Sequence, residues 1–336
     1  LISSVAVQNP APTKSPLQKL YGRAHRAALD TLNRMGWIVG RTADYYSPLR
    51  PVSELARQAG RWHRPSRMAG VAFDLPAMER ELTGMMADFA GEVAALPSYD
   101  ALKGAKHGPG FTRMDALVLY LMLRRHRPAR YLEVGSGLST DYAALAAAAN
   151  AAAGRPMRMT VVDPFMSAAT RARAHSDGET GVEVVPREAQ DLPVDWYTSR
   201  LAAGDVLFID STHIVRIDGE VPFLVLEVLP ALAPGVLVHI HDVHFPYNVP
   251  IDPNAYVLDR RWPMLFTESM LVQAYLCNNP RVEIVMSTPL LRHHQEGFLA
   301  RTLPGYQPLA PHDFDTHHGS LWLRVLDGPP ALQRTA

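Results

Sequence analysis

Three groups of side chains in this sequence have types and spacings that suit chemistry. The first is Tyr131-Leu-Glu133-Val-Gly135-Ser136-Gly137-Leu-Ser-Thr140, an apolar run that ends in an acid and two glycines before a helical pattern begins. Glycines at such a turn let the backbone bend sharply and approach a ligand with no Cβ in the way. A dinucleotide loop prefers a third glycine three residues after the second, and Thr140 stands there. Glu133 adds a negative charge that suits a cationic ligand and repels a pyrophosphate. The spacing therefore favours a nucleoside carrying sulfonium and ammonium charges, held by Glu133, Gly135, Ser136 and Gly137. A tight turn without a ligand is the bland alternative.

The second group would complete a nucleoside site. Val161-Val162-Asp163-Pro164 ends an apolar run in a carboxylate that can accept both hydroxyls of a ribose, or can simply cap a helix after it. Gln190 and Asp191 come after the next run and are candidates for the adenine amino group, or for an ordinary polar loop. The third group is richer. One run ends Asp210-Ser-Thr-His213, and another ends His239-Ile-His241-Asp242-Val-His244. Asp210, His241, Asp242 and His244 form a candidate set of ligands for a divalent metal ion, with Asp210 also near the cofactor. Histidines favour a borderline ion such as zinc or iron over magnesium. His241 or His213, assisted by Asp210, could instead act as a general base, since an unperturbed imidazole titrates near about 6.5. A hydrogen-bonded polar loop is the third reading. If the strand continues, alternation puts His239 and His241 on one face and Asp242 and His244 on the other, with His241 and Asp242 at the strand end the better candidates for direct contact. His239 lies deeper in its apolar run and reads as a core histidine.

The elements that must position these groups alternate from Arg130 onward. Apolar runs at 131–134, 159–162, 182–185, 206–209, 236–240, 282–286 and 321–325 read as strands, the early ones covered on both faces. Helical patterns at 141–153, 221–232 and 267–277 lie between them. The expected fold is α/β: a Rossmann-like, doubly wound, mostly parallel seven-stranded sheet with an N-terminal helical extension. In such a sheet, ligands bind at the carboxyl ends of the strands, where all three groups fall. The last strand, after the patternless stretch 304–319, is expected as an antiparallel edge or insertion strand. Helices are expected over 17–35, 76–96 and 112–125, with Asp74 capping the second and Pro76 in its first turn. The expected organisation is an arm over 1–16, a helical or lid region over 17–127, a cofactor domain over 128–327 and a tail over 328–336.

Charge and composition exclude several classes. Lys plus Arg and Asp plus Glu number 33 each, so the formal net charge is zero. That opposes nucleic acid as a partner. No apolar run approaches the roughly 18 residues that a membrane span needs. Residues 1–16 contain three prolines and no basic segment leading into an apolar one, so they read as an arm and not a leader. The lone Cys277 cannot form an intrachain disulfide and fits a cytoplasmic enzyme. Tyr45, Tyr46, Trp62, Phe111, Tyr247 and Trp262 are candidate lid aromatics. Arg260 and Arg261 are candidates for an anionic substrate or for a solvated face. His293, His294, His312, His317 and His318 are expected in a solvated, irregular stretch. A homodimer through the N-terminal helices is compatible with the sequence, though no heptad pattern specifies one.

The runs YLEVGSGLST, VVDPF, GDVLFIDSTHIV and PGVLVHIHDVHFP, in that order, resemble the class I S-adenosylmethionine-dependent methyltransferases, and within them the bacterial group called methyltransferase family 24. VQAYL and GSLWLR are also similar to that group. The resemblance spans residues 111–325. It implies that Glu133, Gly135 and Gly137 hold the methionine end of S-adenosylmethionine and that Asp163 holds its ribose. The two carboxylates after strands four and five resemble those that hold a metal in catechol-type and antibiotic-sugar O-methyltransferases. Where those enzymes place a second acid or asparagine, this chain has Val243. The expected activity is O-methylation of a small-molecule acceptor, with metal or His/Asp assistance. The rival classes are an NAD(P)-dependent oxidoreductase and a non-catalytic cofactor-binding module.

Overall fold

The structure is a computed structural model and describes residues 26–37, 42, 44–104, 110–166 and 182–328. Contacts divide the chain into two compact units, residues 1–57 and residues 58–336. In the first, residues 26–34 are helical, as is Val52–Arg57. The remainder of the helix expected over 17–35, the arm over 1–16 and residues 329–336 lie outside the described residues. The second unit begins at Gln58 and includes residues 58–127 together with the sheet.

Two helices of more than ten residues precede the sheet among the described residues. Helix α1 (Leu75–Ala95) starts where expected, with Asp74 accepting from the Ala77 N–H and proline in its first turn. Helix α2 (Arg113–His126) is capped by Thr112, which accepts from the Asp115 N–H. All but three of the fourteen residues of α2 are buried, including the charged Asp115 and Arg124. Arg124 reaches Glu92 of α1 at 2.6 Å and also Asn150 of a third helix, so its buried charge has partners on two neighbours.

The sheet contains β1 (Arg130–Val134), β2 (Arg158–Val162), β3 (Val182–Val185), β4 (Val206–Ile209), β5 (Leu237–Ile240), β6 (Val282–Ser287) and β7 (Leu321–Val325). Their order is β3-β2-β1-β4-β5-β7-β6. The first five pair in parallel, and β7 runs antiparallel to both β5 and β6. Every residue of β4 and β5 is buried, which is why their sequences are continuously apolar apart from His239. Helix α3 (Leu138–Ala152) follows β1 and packs against α2. A helix over 220–231, whose middle turn Leu224–Val228 is a π-helix, precedes β5. Helix α4 (Glu268–Leu276) precedes β6.

Of the two places expected for the antiparallel strand β7, the structure has the insertion: it lies between β5 and β6, and β6 forms the edge. Its Trp322 pairs with His239 across the ladder and stacks on it at 4.3 Å. The expectation for the C-terminal histidines is corrected. The stretch bearing His293 and His294 is not irregular but belongs to helix α5 (Thr288–Thr302), capped by Ser287 and interrupted by non-helical Gln295. His317 and His318, read as solvated, are only 1% exposed, and Arg292 donates to the Thr316 and His318 carbonyls there. Those carbonyls give a buried guanidinium the acceptors it needs.

Candidate active site

The carboxyl ends of β1, β4 and β5 are tied together at one level by backbone bonds. The Asp210 N–H donates to the Val134 carbonyl, the Gly135 N–H to Val162, and the His241 N–H to Ile209, each at 2.9 Å. The close approach leaves no room at Gly135. Its φ is +93°, and a Cβ there would lie 1.9 Å from the Asp210 carbonyl oxygen. The sequence expectation that a glycine is needed thus has a concrete cause, the backbone of the next strand over.

Around this loop the expected cofactor residues fall into two layers. Ser136 and Gly137 line a cavity of about 660 Å³, together with Asp163, Asp210, His213, His241 and Asp242. Gly135, Gln190 and Glu188 line an adjoining cavity of about 270 Å³ that shares Ser136, Asp163 and Asp210 with the first. Ser136 donates to one oxygen of Asp163, and the Phe165 N–H donates to the other at 2.7 Å, so the carboxylate is fixed where both cavities meet. Gln190 donates to Glu188 and to the Asp218 carbonyl. Asp191 sits in the 3-10 turn Ala189–Asp191 and lines neither cavity.

Glu133 is fully buried beneath the loop instead of on the cavity wall. Ser139 donates to its Oε1, while Oε2 is buried without a hydrogen-bond partner. Burial, reinforced by Asp210 and Asp163, pushes its carboxyl up to about 8. An unpaired buried carboxylate oxygen is costly, and a cationic ligand at the loop would relieve it.

At the far side of the larger cavity, Asp210, His213, His241 and Asp242 each offer one ligand atom, all within 4.8 Å of one another. His213 Nε2 lies 3.3 Å from Asp210 and 3.4 Å from Asp242, and His241 Nδ1 lies 3.2 Å from Asp210. The opposite nitrogen of each ring is backed by a buried acid. Glu268, in the first turn of α4, holds His213 Nδ1 at 2.8 Å, and Asp115 of α2 holds His241 Nε2 at 3.1 Å. Asp115 also accepts from the Gly319 N–H and from the Ser320 and Thr112 hydroxyls. Burial alone would lower both imidazoles. Instead, hydrogen bonds to Asp210 and Glu268 and the charge of Asp242 push His213 up to about 10. Asp210, Asp242 and Asp115 hold His241 well above the ordinary range. Burial, together with the neighbouring acids, raises Asp242 even against the two imidazoles.

This grouping departs from strand alternation. β5 stops at Ile240, and Asp242 takes a left-handed φ of +54°, which turns its carboxylate back to the side of His241. His244 stays out of the group. Neither ring nitrogen has a hydrogen-bond partner, its nearest contact to Asp242 is 3.8 Å, and burial keeps it well below the usual range. His239 is a core histidine packed between Phe208 and Trp322, likewise held neutral by burial. Asp115 and Glu268 escaped sequence reasoning, because an acid in the first turn of a helix has a sufficient local explanation. Of the candidate lid aromatics, Phe111 lines the cavity, whereas Tyr247 stacks on His63, which also contacts Trp62; Trp262 is 74% exposed. Tyr45 and Tyr46 lie in the first unit, ring edge to face.

Residues 132–243 match the methyltransferase domain family. That segment carries the glycine loop at the end of β1 and the ends of β4 and β5, so the part of the chain that builds the site is the part similar to a methyltransferase domain. No curated protein sequence matches the chain. Solved structures similar to it include an O-methyltransferase from Bacillus cereus in complex with SAH. That one is 14% identical, covers 74% of this chain and 91% of its own, and has a TM-score of 0.39. Another is the O-methyltransferase TomG from Streptomyces achromogenes, involved in tomaymycin synthesis, in complex with SAM. It is 17% identical, covers 77% and 92%, and has a TM-score of 0.40.

Replacing Gly135 by alanine must displace the Asp210 backbone. Gly135→Ala is expected to abolish S-adenosylmethionine binding in calorimetry and to lower stability by at least about 4 kcal/mol. Wild-type affinity and melting temperature in this variant would contradict the geometry.

Proposed function

We propose that the protein transfers the methyl group of S-adenosylmethionine to a hydroxyl of a small molecule, with a divalent metal ion held by Asp210, His213, His241 and Asp242. The observation that carries the metal is the double backing of the imidazoles. Each presents one nitrogen to the cluster and gives the other to a buried carboxylate, the arrangement that orients histidine ligands and raises their basicity. Asp115, Asp210, Asp242 and Glu268 outnumber the two imidazoles two to one, an excess of negative charge that a divalent cation would offset as the ring nitrogens facing it give up their protons. The donor set of two imidazoles and two carboxylates suits a borderline ion. A free general base fits less well, because neither ring has an uncommitted nitrogen.

For the methyl donor, the backbone at Gly135 and Gly137 and the fixed Asp163 carboxylate line the cavities and fit a methionine chain and a ribose, with Glu133 beneath the loop supplying the negative charge for an ammonium group. When bound, the donor supplies an electrophilic methyl and the metal ion an acidified, oriented hydroxyl. The chain's own work is to hold donor and acceptor in line over the cluster. Asp242 lines the cavity, and a carboxylate oxygen of it not taken by the ion is suited to accept the hydroxyl proton. Gln190 and Asp191 remain candidates for the adenine edge, Gln190 by its place on the second cavity. Zero net charge supports a small-molecule acceptor over a nucleic acid. Among the described residues no helix is long and apolar enough to cross a membrane, and the unpaired Cys277 supports a reducing compartment such as the cytoplasm.

Purified protein is expected to carry about one divalent ion per chain by elemental analysis, since the described residues hold one such cluster. Chelation should reduce transfer to hydroxylated acceptors to background, and zinc, iron, cobalt or manganese should restore it. Full turnover by the metal-free protein would overturn the metal assignment and leave the donor site standing. Asp115→Asn should weaken metal affinity about 10–100-fold, while S-adenosylmethionine still binds. Unchanged metal affinity would show that Asp115 does not support His241 as a ligand.

Glu133 supplies a pH test. Below about 8 its carboxyl holds a proton in the free protein, and pairing with the donor's ammonium requires that proton to leave. Donor affinity should therefore rise with pH from 6 towards 8 and then flatten. Calorimetry at pH 7 in buffers of different ionisation enthalpy should report proton release on binding; no release would rule out the pairing.

A further inference from the structure

We propose that the acceptor is a hydroxylated aromatic compound bearing an oxyanion group, with its ring among Phe111, Tyr256, Phe266 and Phe314 and its anion on Arg260. This rests on the methyl-transfer reading above and names the substrate class of that site. The large cavity runs from Ser136 and Gly137 at the donor loop to a part lined by these four rings, Met264 and Arg260. The rings stand directly on the charged cluster. The Phe111 ring lies 4.9 Å from that of His241, and the Phe266 ring 4.8 Å from that of His213. Tyr256 meets Phe266 at 5.5 Å and Phe314 at 5.1 Å, both steeply inclined, so the three rings form a corner and not a flat packed layer. Such walls take a planar apolar body.

The polar features of this part of the cavity are few and directional. Arg260 is its only lysine or arginine, is exposed, and makes no hydrogen bond or ion pair among the described residues. The segment that carries it is pinned. Tyr256 belongs to the π-helical turn Asn254–Leu258, a form that concentrates at functional sites. Asp252 accepts from the Asn254 and Ala255 N–H groups and from the His312 N–H, and the Met264 N–H closes the loop on the Tyr256 carbonyl at 2.8 Å. The guanidinium is thus tethered beside the cavity without a protein partner. The cluster's carboxylates are committed to His213, His241 and the ion proposed above, whereas Arg260 has no such commitment, so the ligand's anion is drawn to Arg260 and its hydroxyl is left for the cluster. This sets the orientation: hydroxyl towards Asp210 and Asp242, anion towards Arg260. A guanidinium forks onto a carboxylate or phosphate and is always charged.

The test pairs 3,4-dihydroxybenzoate with its methyl ester as acceptors for the metal-loaded wild type, Arg260→Gln and Arg260→Lys. Calorimetry with S-adenosylhomocysteine runs alongside. For the wild type, KM for the acid should be about 10–100-fold below that for the ester, the size of a charge-assisted hydrogen bond. Arg260→Gln should abolish that difference through KM and not kcat, and Arg260→Lys should keep part of it. Affinity for S-adenosylhomocysteine should not change in either variant. Equal KM values for acid and ester, or an acid KM unmoved by Arg260→Gln, would overturn the proposal. So would a variant that loses S-adenosylhomocysteine instead, which would put Arg260 on the donor's carboxylate. If neither compound is methylated while S-adenosylhomocysteine binds, the substrate class is wrong and the donor site stands. If S-adenosylhomocysteine does not bind the wild type, the methyl-transfer reading itself fails.

Discussion

Six ionisable side chains meet beneath the ends of β4 and β5, and all but Asp210 are buried. Removing a charge from water costs several kcal/mol unless partners restore what solvation supplied. The protein supplies those partners from distant parts of the chain: Asp115 from α2, Glu268 from α4, and the Gly319 and Ser320 donors that hold Asp115. The pairing is nevertheless unequal, with four carboxylates around two imidazoles. Burial, with the neighbouring acids behind it, raises the Asp242 carboxyl above its ordinary range. The surplus of acids is what the proposed metal ion would offset.

Packing around the cluster is tight enough to dictate residue types well outside the family match. Gly135 admits the Asp210 backbone, and Gly319 does the same for Asp242, since a Cβ at Gly319 would lie 2.8 Å from the Asp242 Cα. The antiparallel β7 begins just beyond Gly319, and its placement beside β5 carries residues 319 and 320 to Asp115. The insertion of β7 into the sheet interior therefore bears on function as well as architecture. So does the burial of α2, which gives the site an acid from outside the matched segment.

All seven strands were legible because each is a short apolar run between turn residues. The glycine loop was legible because its chemistry is contained in five consecutive positions. The parts that were not legible depend on long-range geometry. Asp115 meets His241 across 126 positions, and Glu268 meets His213 across 55, while each acid sits where a helix start would explain it locally. Alternation separates Asp242 from His241 only if the strand continues, and the left-handed backbone that ends it at Asp242 has no signal in the sequence. Helix α5 was obscured by Gly297, adjacent histidines and the break at Gln295. The order of β6 and β7 is a matter of pairing, which apolar runs do not encode.

The most direct measurement is anomalous diffraction from crystals of the protein loaded with zinc or cobalt. An anomalous peak within bonding distance of Asp210, His213, His241 and Asp242, with Asp115 and Glu268 still on the outer ring nitrogens, is the expected result. Crystals that show no peak there, with both imidazoles still bridging carboxylates, would contradict a metal-centred site and return the cluster to a purely structural ion-pair network.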